Sequence, residues 1–261
     1  MNDTRHELID SHCHFDAPAF DADRDALYQR ARQAGVRHII TPAITATSWP
    51  GLRQICARYP GVHPAYGLHP MFQAEHRDDD IDRLQTWLER ERPVAVGECG
   101  LDFYIPKPDK EKQTAIFRAQ LALAQRFELP VIIHARKSVE AVMMLLREYP
   151  DVRGVMHSYS GSLEQARQLI ERGFLLGFGG PLTWPRATRL RRIAATLPLE
   201  SLLLETDAPD QPGEQHRGQR NEPAWLPEVA HTLAELRKIS VDEVIEVTSD
   251  NARRLFPMKT A

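Results

Sequence analysis

Short apolar runs recur eight times along the chain: Leu8–Phe15, His38–Ile44, His63–His69, Val94–Phe103, Pro130–Ala135, Gly154–Tyr159, Phe174–Gly179 and Leu202–Asp207. Several, such as VAVGE, PVIIH and LLLET, are near-continuous Val, Ile and Leu rather than alternating. Continuous apolarity is what a strand needs when both faces of its sheet are covered, as in a parallel sheet. Segments with a helical period lie between the runs. Asp23–Ala34 stops before Gly35, a residue that readily ends a helix. Lys110–Phe127, Ser138–Glu148, Ser162–Arg172, Arg186–Thr196 and Pro223–Leu236 carry apolar residues at helical spacing. Ser162 and Ser240 are expected N-caps, and Val241–Leu255 reads as one or two further helices.

Strand alternating with helix eight times predicts a parallel α/β fold. An open doubly wound sheet is the alternative. Eight units in 261 residues favour a single (β/α)8 TIM-like barrel, which runs to about 250 residues. No internal repeat, low-complexity tract or linker interrupts the chain, so residues 1–261 are expected to form one domain. The longest irregular stretch, Asp207–Glu222, contains Pro209, Pro212, Gly213 and Gly218 and directly follows the last predicted strand. It is expected to cover the active face.

Composition narrows the function classes. The chain is 42% hydrophobic and 26% charged, an ordinary globular balance. MNDTRHELID holds no long apolar run, which argues against a signal peptide, and no stretch nears the ~20 apolar residues of a membrane helix. Cys13, Cys56 and Cys99 are odd in number and widely spaced, which points away from a disulfide framework and toward a cytoplasmic setting. The formal net charge of -3 excludes a broad basic coat for nucleic acid. A polyanion would have to be held locally, by metals and a few arginines. Nothing in the sequence points to an obligate protein partner.

The chemistry lies at the ends of the predicted strands, where barrel enzymes carry their catalytic groups. Run 1 contains Asp10-Ser-His-Cys-His14, and alternation puts His12 and His14 on one face with Cys13 on the other. Run 4 delivers Glu98 after PVAVG, a carboxylate in an apolar strand that is costly unless paired or bound to metal. Runs 5 and 6 deliver His134 and His157, and run 8 ends in Asp207. Any one of these could be a hydrogen-bonded core group. Four histidines and two carboxylates at one end of successive strands are instead a ligand set for divalent ions such as Mg2+, Mn2+ or Zn2+. Six ligands exceed the needs of one tetrahedral zinc. Two ions bridged by Glu98 are the simplest arrangement, able to share a water and clamp a phosphoryl or carbonyl oxygen.

In order and spacing the chain resembles the TatD family of metal-dependent deoxyribonucleases, within the amidohydrolase superfamily. The matching pieces are DSHCHFD at Asp10–Asp16, GLHP at Gly67–Pro70, GECGLDF at Gly97–Phe103 and IIHAR at Ile132–Arg136. HSYSGS at His157–Ser162, LLLETDAP at Leu202–Pro209 and RGQRNEP at Arg217–Pro223 continue the match, which covers essentially the whole chain. The resemblance implies a TIM-like barrel, two divalent metals and hydrolysis of DNA phosphodiesters, commonly as a 3′–5′ exonuclease. It assigns His12, His14 and Asp207 to one ion, His134 and His157 to the other, and Glu98 to the bridging position. Cys99, usually aliphatic in relatives, and Ala135, commonly Ser, depart from the pattern without touching a ligand.

Beside the ligands, Asp207 is the expected proton acceptor from the attacking water, with Glu98 as its catalytic companion. Arg136, two residues past His134, is a candidate phosphate contact; its alternative is a surface salt bridge. His69 is expected to face substrate or to support a ligand without being a seventh one. Glu205, one layer below Asp207, is expected to orient a ligand or to form a buried structural pair. Tyr104, with Phe15 and Phe103, could stack on a base, although packing is the commoner role for such rings. Arg186, Arg189, Arg191 and Arg192 could touch phosphate or simply solvate a helix face. A small-molecule amidohydrolase or esterase would use the same ligands. A non-catalytic nucleic-acid-binding scaffold fits less well, because the ligand set is intact and no basic face is present.

Overall fold

The computed structural model describes residues 7–258; the start of MNDTRHELID lies outside them. Eight strands and nine helices longer than a single 3-10 turn alternate among the described residues. They run β1 (Leu8–Asp10), α1 (Arg24–Gln33), β2 (Val36–Pro42), α2 (Trp49–Arg58), β3 (Val62–Tyr66) and α3 (Asp80–Glu91). Next come β4 (Ala95–Asp102), α4 (Lys110–Phe127), β5 (Val131–Arg136), α5 (Val139–Leu146), β6 (Gly154–Met156) and α6 (Leu163–Glu171). The chain closes with β7 (Phe174–Phe178), α7 (Thr188–Thr196), β8 (Leu202–Leu204), α8 (Leu226–Arg237) and α9 (Val241–Leu255). The strands form one sheet in sequential order β1 to β8, a (β/α)8 TIM-like fold. Burial explains the apolar runs: all eight residues of β4 are buried. No helix among the described residues is long and apolar enough to cross a membrane.

Local signals act as expected at several ends. Ser162 accepts from the Gln165 amide in a reciprocal capping box with the Gln165 side chain, and Ser240 accepts from the Glu243 amide. Val241–Leu255 is one helix, not two. It is fastened by buried Asn251, whose Nδ2 donates to the Leu199 and Leu202 carbonyls at 2.9 and 2.8 Å. The sequence reading passed over α2 and α3. The first turn of α2 carries Pro50 and Gly51, residues that read as a turn although a first-turn proline costs a helix little. α3 begins in an acidic run and buries only Asp80, Leu84 and Leu88.

Ladder structure stops earlier than the apolar run at β1, which ends at Asp10. Beyond it the chain stays in contact with both sides, the Ser11 amide donating to Leu204 at 3.0 Å and the Cys13 amide to Ile40 at 3.0 Å.

The chain groups into two compact units. One comprises the stretches up to Thr41, Cys56–His63 and from Leu176 onward, with β1, α1, α7, β8, α8 and α9. The other comprises Pro42–Ile55 and Pro64–Leu175, with α3, β4, α4, β5, α5, β6 and α6.

Candidate metal centre

In the first unit, three side chains converge just past the ends of β1 and β8. His12 Nε2 and His14 Nε2 lie 3.4 Å apart, and Asp207 Oδ1 is 3.5 Å from the former and 3.6 Å from the latter. Ligand atoms about 2.0–2.2 Å from a tetrahedral ion stand about 3.3–3.6 Å from each other. The triangle therefore has the spacing of three ligands around one ion. Alternation holds where it was predicted: between the two histidines, Cys13 is fully buried with its sulfur 3.6 Å from the Ala208 carbonyl. Burial pushes its thiol well above the ordinary range, which makes it inert.

The backbone under this triangle is fixed by buried polar groups. Asp10 is fully buried; its Oδ2 accepts from the Thr206 hydroxyl at 2.6 Å, and its Oδ1 from the Thr206 and His12 amides at 3.0 and 3.3 Å. Burial outweighs those bonds and pushes Asp10 up to about 8. Asp207 sits in the left-handed region at φ +58, which Asp tolerates better than most residues. Its amide donates to the His12 carbonyl at 2.9 Å, and Gln211 Nε2 donates to its Oδ2. Asn221, 2% exposed, donates Nδ2 to the Thr206, Asp210 and Gln211 carbonyls at 2.8, 2.7 and 3.3 Å. Arg220 grips Asp23, and Glu222 grips Arg30. The RGQRNEP stretch thus ties down the loop that carries Asp207. Glu205 is buried, with a carboxylate oxygen within 4.8 Å of a His12 nitrogen, and a Cβ on Gly177 would overlap it.

The second unit gathers its groups around one carboxylate. Glu98, 1% exposed, presents Oε1 at 2.9 Å from His69 Nε2, 3.1 Å from His134 Nδ1 and 3.2 Å from His157 Nε2. His69 Nδ1 accepts from the Met71 amide at 3.0 Å, so a neutral ring carries its proton on Nε2 and donates it to Glu98. His69, Glu98 and His134 also bring their ligand atoms within 4.8 Å of one another, close enough to hold an ion. His134 Nε2 lies 2.9 Å from Asp102 Oδ2. Burial pulls the His134 imidazole down, but the Asp102 and Glu98 carboxylates on either side hold it above its ordinary value. For Asp102 burial pulls upward, and the His134 ring and Tyr104 amide outweigh it to hold the carboxyl below its usual range. Gly100 pairs with His134 across the β4–β5 ladder at φ +127, where a Cβ would run into the His134 carbonyl.

Groups at the rim differ in exposure. Tyr104 is 58% exposed, and the exposed Arg136 guanidinium stacks 4.0 Å from its ring centroid. Phe103 faces Lys110 at 4.7 Å. Phe15 is fully buried against Tyr28 and Tyr59, which removes it as a base-stacking surface. Of the arginine run, Arg186 stacks on Trp184 at 4.8 Å and Arg191 donates to the Leu182 carbonyl. Cys99 is buried with its sulfur 3.5 Å from the Ile132 carbonyl, and burial pushes its thiol up.

The structure therefore brings His12, His14 and Asp207 together in one unit, and Glu98, His134 and His157 in the other. Imidazole and carboxylate are the donors that borderline and hard divalent ions take, and these residues fit that role. The sequence reading missed Asp102. Its signal was available in ECGLD: Glu98, Gly100 and Asp102 alternate onto one strand face, as His12 and His14 do.

Comparison with known proteins finds matches along nearly the whole chain. The family model described as TatD related DNase matches residues 9–257. An uncharacterized metal-dependent hydrolase of Escherichia coli K12, YjjV, is 44% identical over 253 residues, covering 95% of this chain and 97% of its own length. The human deoxyribonuclease TATDN3 is 34% identical over 264 residues, covering 96% of this chain and 94% of its own. The crystal structure of the E. coli protein superposes with a TM-score of 0.93 at 41% identity, covering 97% of this chain and 98% of the other.

Proposed function

The chain belongs to the TatD family of metal-dependent hydrolases, and from that premise we propose that it is a deoxyribonuclease that shortens DNA from a 3′ end. It is a hydrolase of ester bonds; the DNA substrate and the exonucleolytic mode are our reading. The observation that carries the metal dependence is the His12–His14–Asp207 triangle, whose edges of 3.4–3.6 Å match the spacing around a divalent ion, and the DNA substrate is supported by the match to the TatD related DNase family and to the human deoxyribonuclease TATDN3. Residues 1–261 act as one catalytic domain in which His12, His14 and Asp207 would hold one divalent ion and His134 and His157 a second, with Glu98 as the candidate ligand of both. Bound divalent ions supply Lewis-acid activation of water and charge neutralisation at the phosphoryl group.

The residues divide the remaining work. Asp207 accepts the proton of the attacking water. His69 donates its Nε2 proton to Glu98 and fixes that carboxylate's orientation. Glu205, buried below His12, helps to hold that ring in place. Arg136 and the exposed Tyr104 bind the strand, the guanidinium at a phosphate and the ring against a base. With a net charge of -3 the enzyme makes few phosphate contacts, so the logarithm of the binding constant should fall by about 0.7 per contact for each tenfold rise in salt on a single strand. The cysteines at positions 13, 56 and 99 are free thiols, in keeping with the cytoplasm as the compartment we propose.

The test is an end-labelled single-stranded oligonucleotide incubated with Mg2+ or Mn2+ beside a panel of small amides and esters. A ladder of progressively shortened products, abolished by chelator and by Glu98→Gln, is the expected result. Intact DNA with either metal, together with turnover of an amide or ester, would overturn the substrate assignment in favour of a small-molecule amidohydrolase or esterase.

A further inference from the structure

Asp102 is fully buried at the end of β4, where its carboxylate meets two backbone N–H groups and one imidazole nitrogen. Oδ1 accepts from the backbone amides of Tyr104 at 2.8 Å and Ile105 at 3.2 Å. Oδ2 lies 2.9 Å from His134 Nε2. Two backbone N–H groups on one oxygen favour the ionised carboxylate, which can only accept from the imidazole on the other. The His134 proton therefore belongs on Nε2. The opposite nitrogen, Nδ1, faces Glu98 Oε1 at 3.1 Å.

We propose that Asp102 is a positioning residue that fixes His134 in its Nε2–H tautomer, so that the Nδ1 lone pair is presented to a divalent ion, and that the same carboxylate locks the loop carrying Tyr104. The inference rests on the metal-dependent reading of the site. A carboxylate behind a ligating imidazole sets the tautomer, holds the ring plane and raises the basicity of the nitrogen that binds metal. The two oxygens do separate jobs. Oδ2 acts on His134. Oδ1 shapes the Tyr104–Ile105 turn, and Tyr104 is the ring on which Arg136 stacks, 4.0 Å from its centroid. Asp102 and Arg136 are also register partners across the β4–β5 ladder. One buried side chain thus links a metal ligand to the exposed pair we assign to the strand.

Asp102→Asn separates these jobs because it keeps the size of the side chain. The asparagine oxygen can still accept both amides, and its NH2 then meets His134 Nε2. Two donors cannot face each other, so the ring is driven to the Nδ1–H tautomer and its metal-binding lone pair is lost. Asp102→Ala removes both jobs at once.

The experiment titrates Zn2+ into metal-free wild type and both variants by calorimetry. Thermal melts of the metal-free proteins check that each is folded. Long-range 1H–15N spectra of Zn2+-loaded wild type read the His134 tautomer. We expect Asp102→Asn to weaken Zn2+ binding at one site by about 10- to 100-fold with KM for an oligonucleotide little changed. Asp102→Ala should show the same loss of Zn2+ affinity and a raised KM. Wild-type spectra should show the proton on Nε2 and Zn2+ on Nδ1 of His134. Folded Asp102→Asn with Zn2+ affinity within about twofold of wild type, or Zn2+ on Nε2 of His134, would overturn the proposal. Wild type that takes up no Zn2+ would instead overturn the metal-dependent reading beneath it.

Discussion

His12, His14 and Asp207 stand on chain that has just left its strands, as His157 does, whereas His134 is paired in the β4–β5 ladder and Glu98 sits on β4 where that ladder's register shifts. The first set holds its donor atoms 3.4–3.6 Å apart, and polar side chains anchor its backbone: Asp10 on Thr206, Asn221 on three carbonyls. The second set draws three imidazole nitrogens to one oxygen at 2.9–3.2 Å; β4 carries the oxygen, β5 carries His134, and His69 and His157 follow β3 and β6. A ligand on a loop depends on residues that never touch the metal. A ligand on a ladder depends on its strand and on the group behind it. The two sets should therefore fail in different ways.

The largest effect expected is chemical. Asp207→Asn keeps the shape of the side chain but cannot take a proton, and kcat should fall about 100- to 10,000-fold at saturating metal. Steady-state kinetics across a metal titration checks this; activity within about twofold of wild type would remove Asp207 from the base role.

Asn221→Ala should sharpen the contrast between loop and ladder. It leaves the Thr206, Asp210 and Gln211 carbonyls without the amide that now bonds them. A loss of about 1–3 kcal/mol of stability is expected, together with weaker metal binding at the His12–His14–Asp207 set alone. Chemical denaturation paired with metal titration measures both, and equal weakening of both sets would erase the distinction.

Cys99→Ala should do least. Its sulfur packs against the Ile132 carbonyl on the face away from Glu98, so a small cavity costs about 1 kcal/mol and leaves turnover intact. A folded, metal-loaded Cys99→Ser that lost all turnover would contradict the strand geometry of β4.

The ladder-borne half was the more legible in the sequence. Near-continuous apolar runs announced the strands, and a carboxylate or imidazole ending such a run is conspicuous, as in VAVGE and PVIIH. Strand alternation also placed His12 and His14 together although β1 ends at Asp10, because the Ser11 and Cys13 amides still bond to the chain on either side. Helices α2 and α3 escaped because one opens on Pro50 and Gly51 and the other in an acidic run. Strand alternation puts Asp102 on the face of Glu98, but its partner lies 32 residues away, and only the β4–β5 register shows what the carboxylate meets. Asn221 was visible as part of RGQRNEP, but three bonds to carbonyls of a folded loop have no linear signature. Phe15 looked like a rim aromatic from its place beside His14, and only burial against Tyr28 and Tyr59 shows it to be core.

Whether the two ligand sets hold two ions is read by elemental analysis of protein reconstituted with divalent metal. Wild type should carry two divalent ions per chain. His12→Ala and His134→Ala should each leave one, and Glu98→Gln should lower occupancy of both. A ceiling of one ion in wild type, with His134→Ala and His157→Ala fully active, would contradict it.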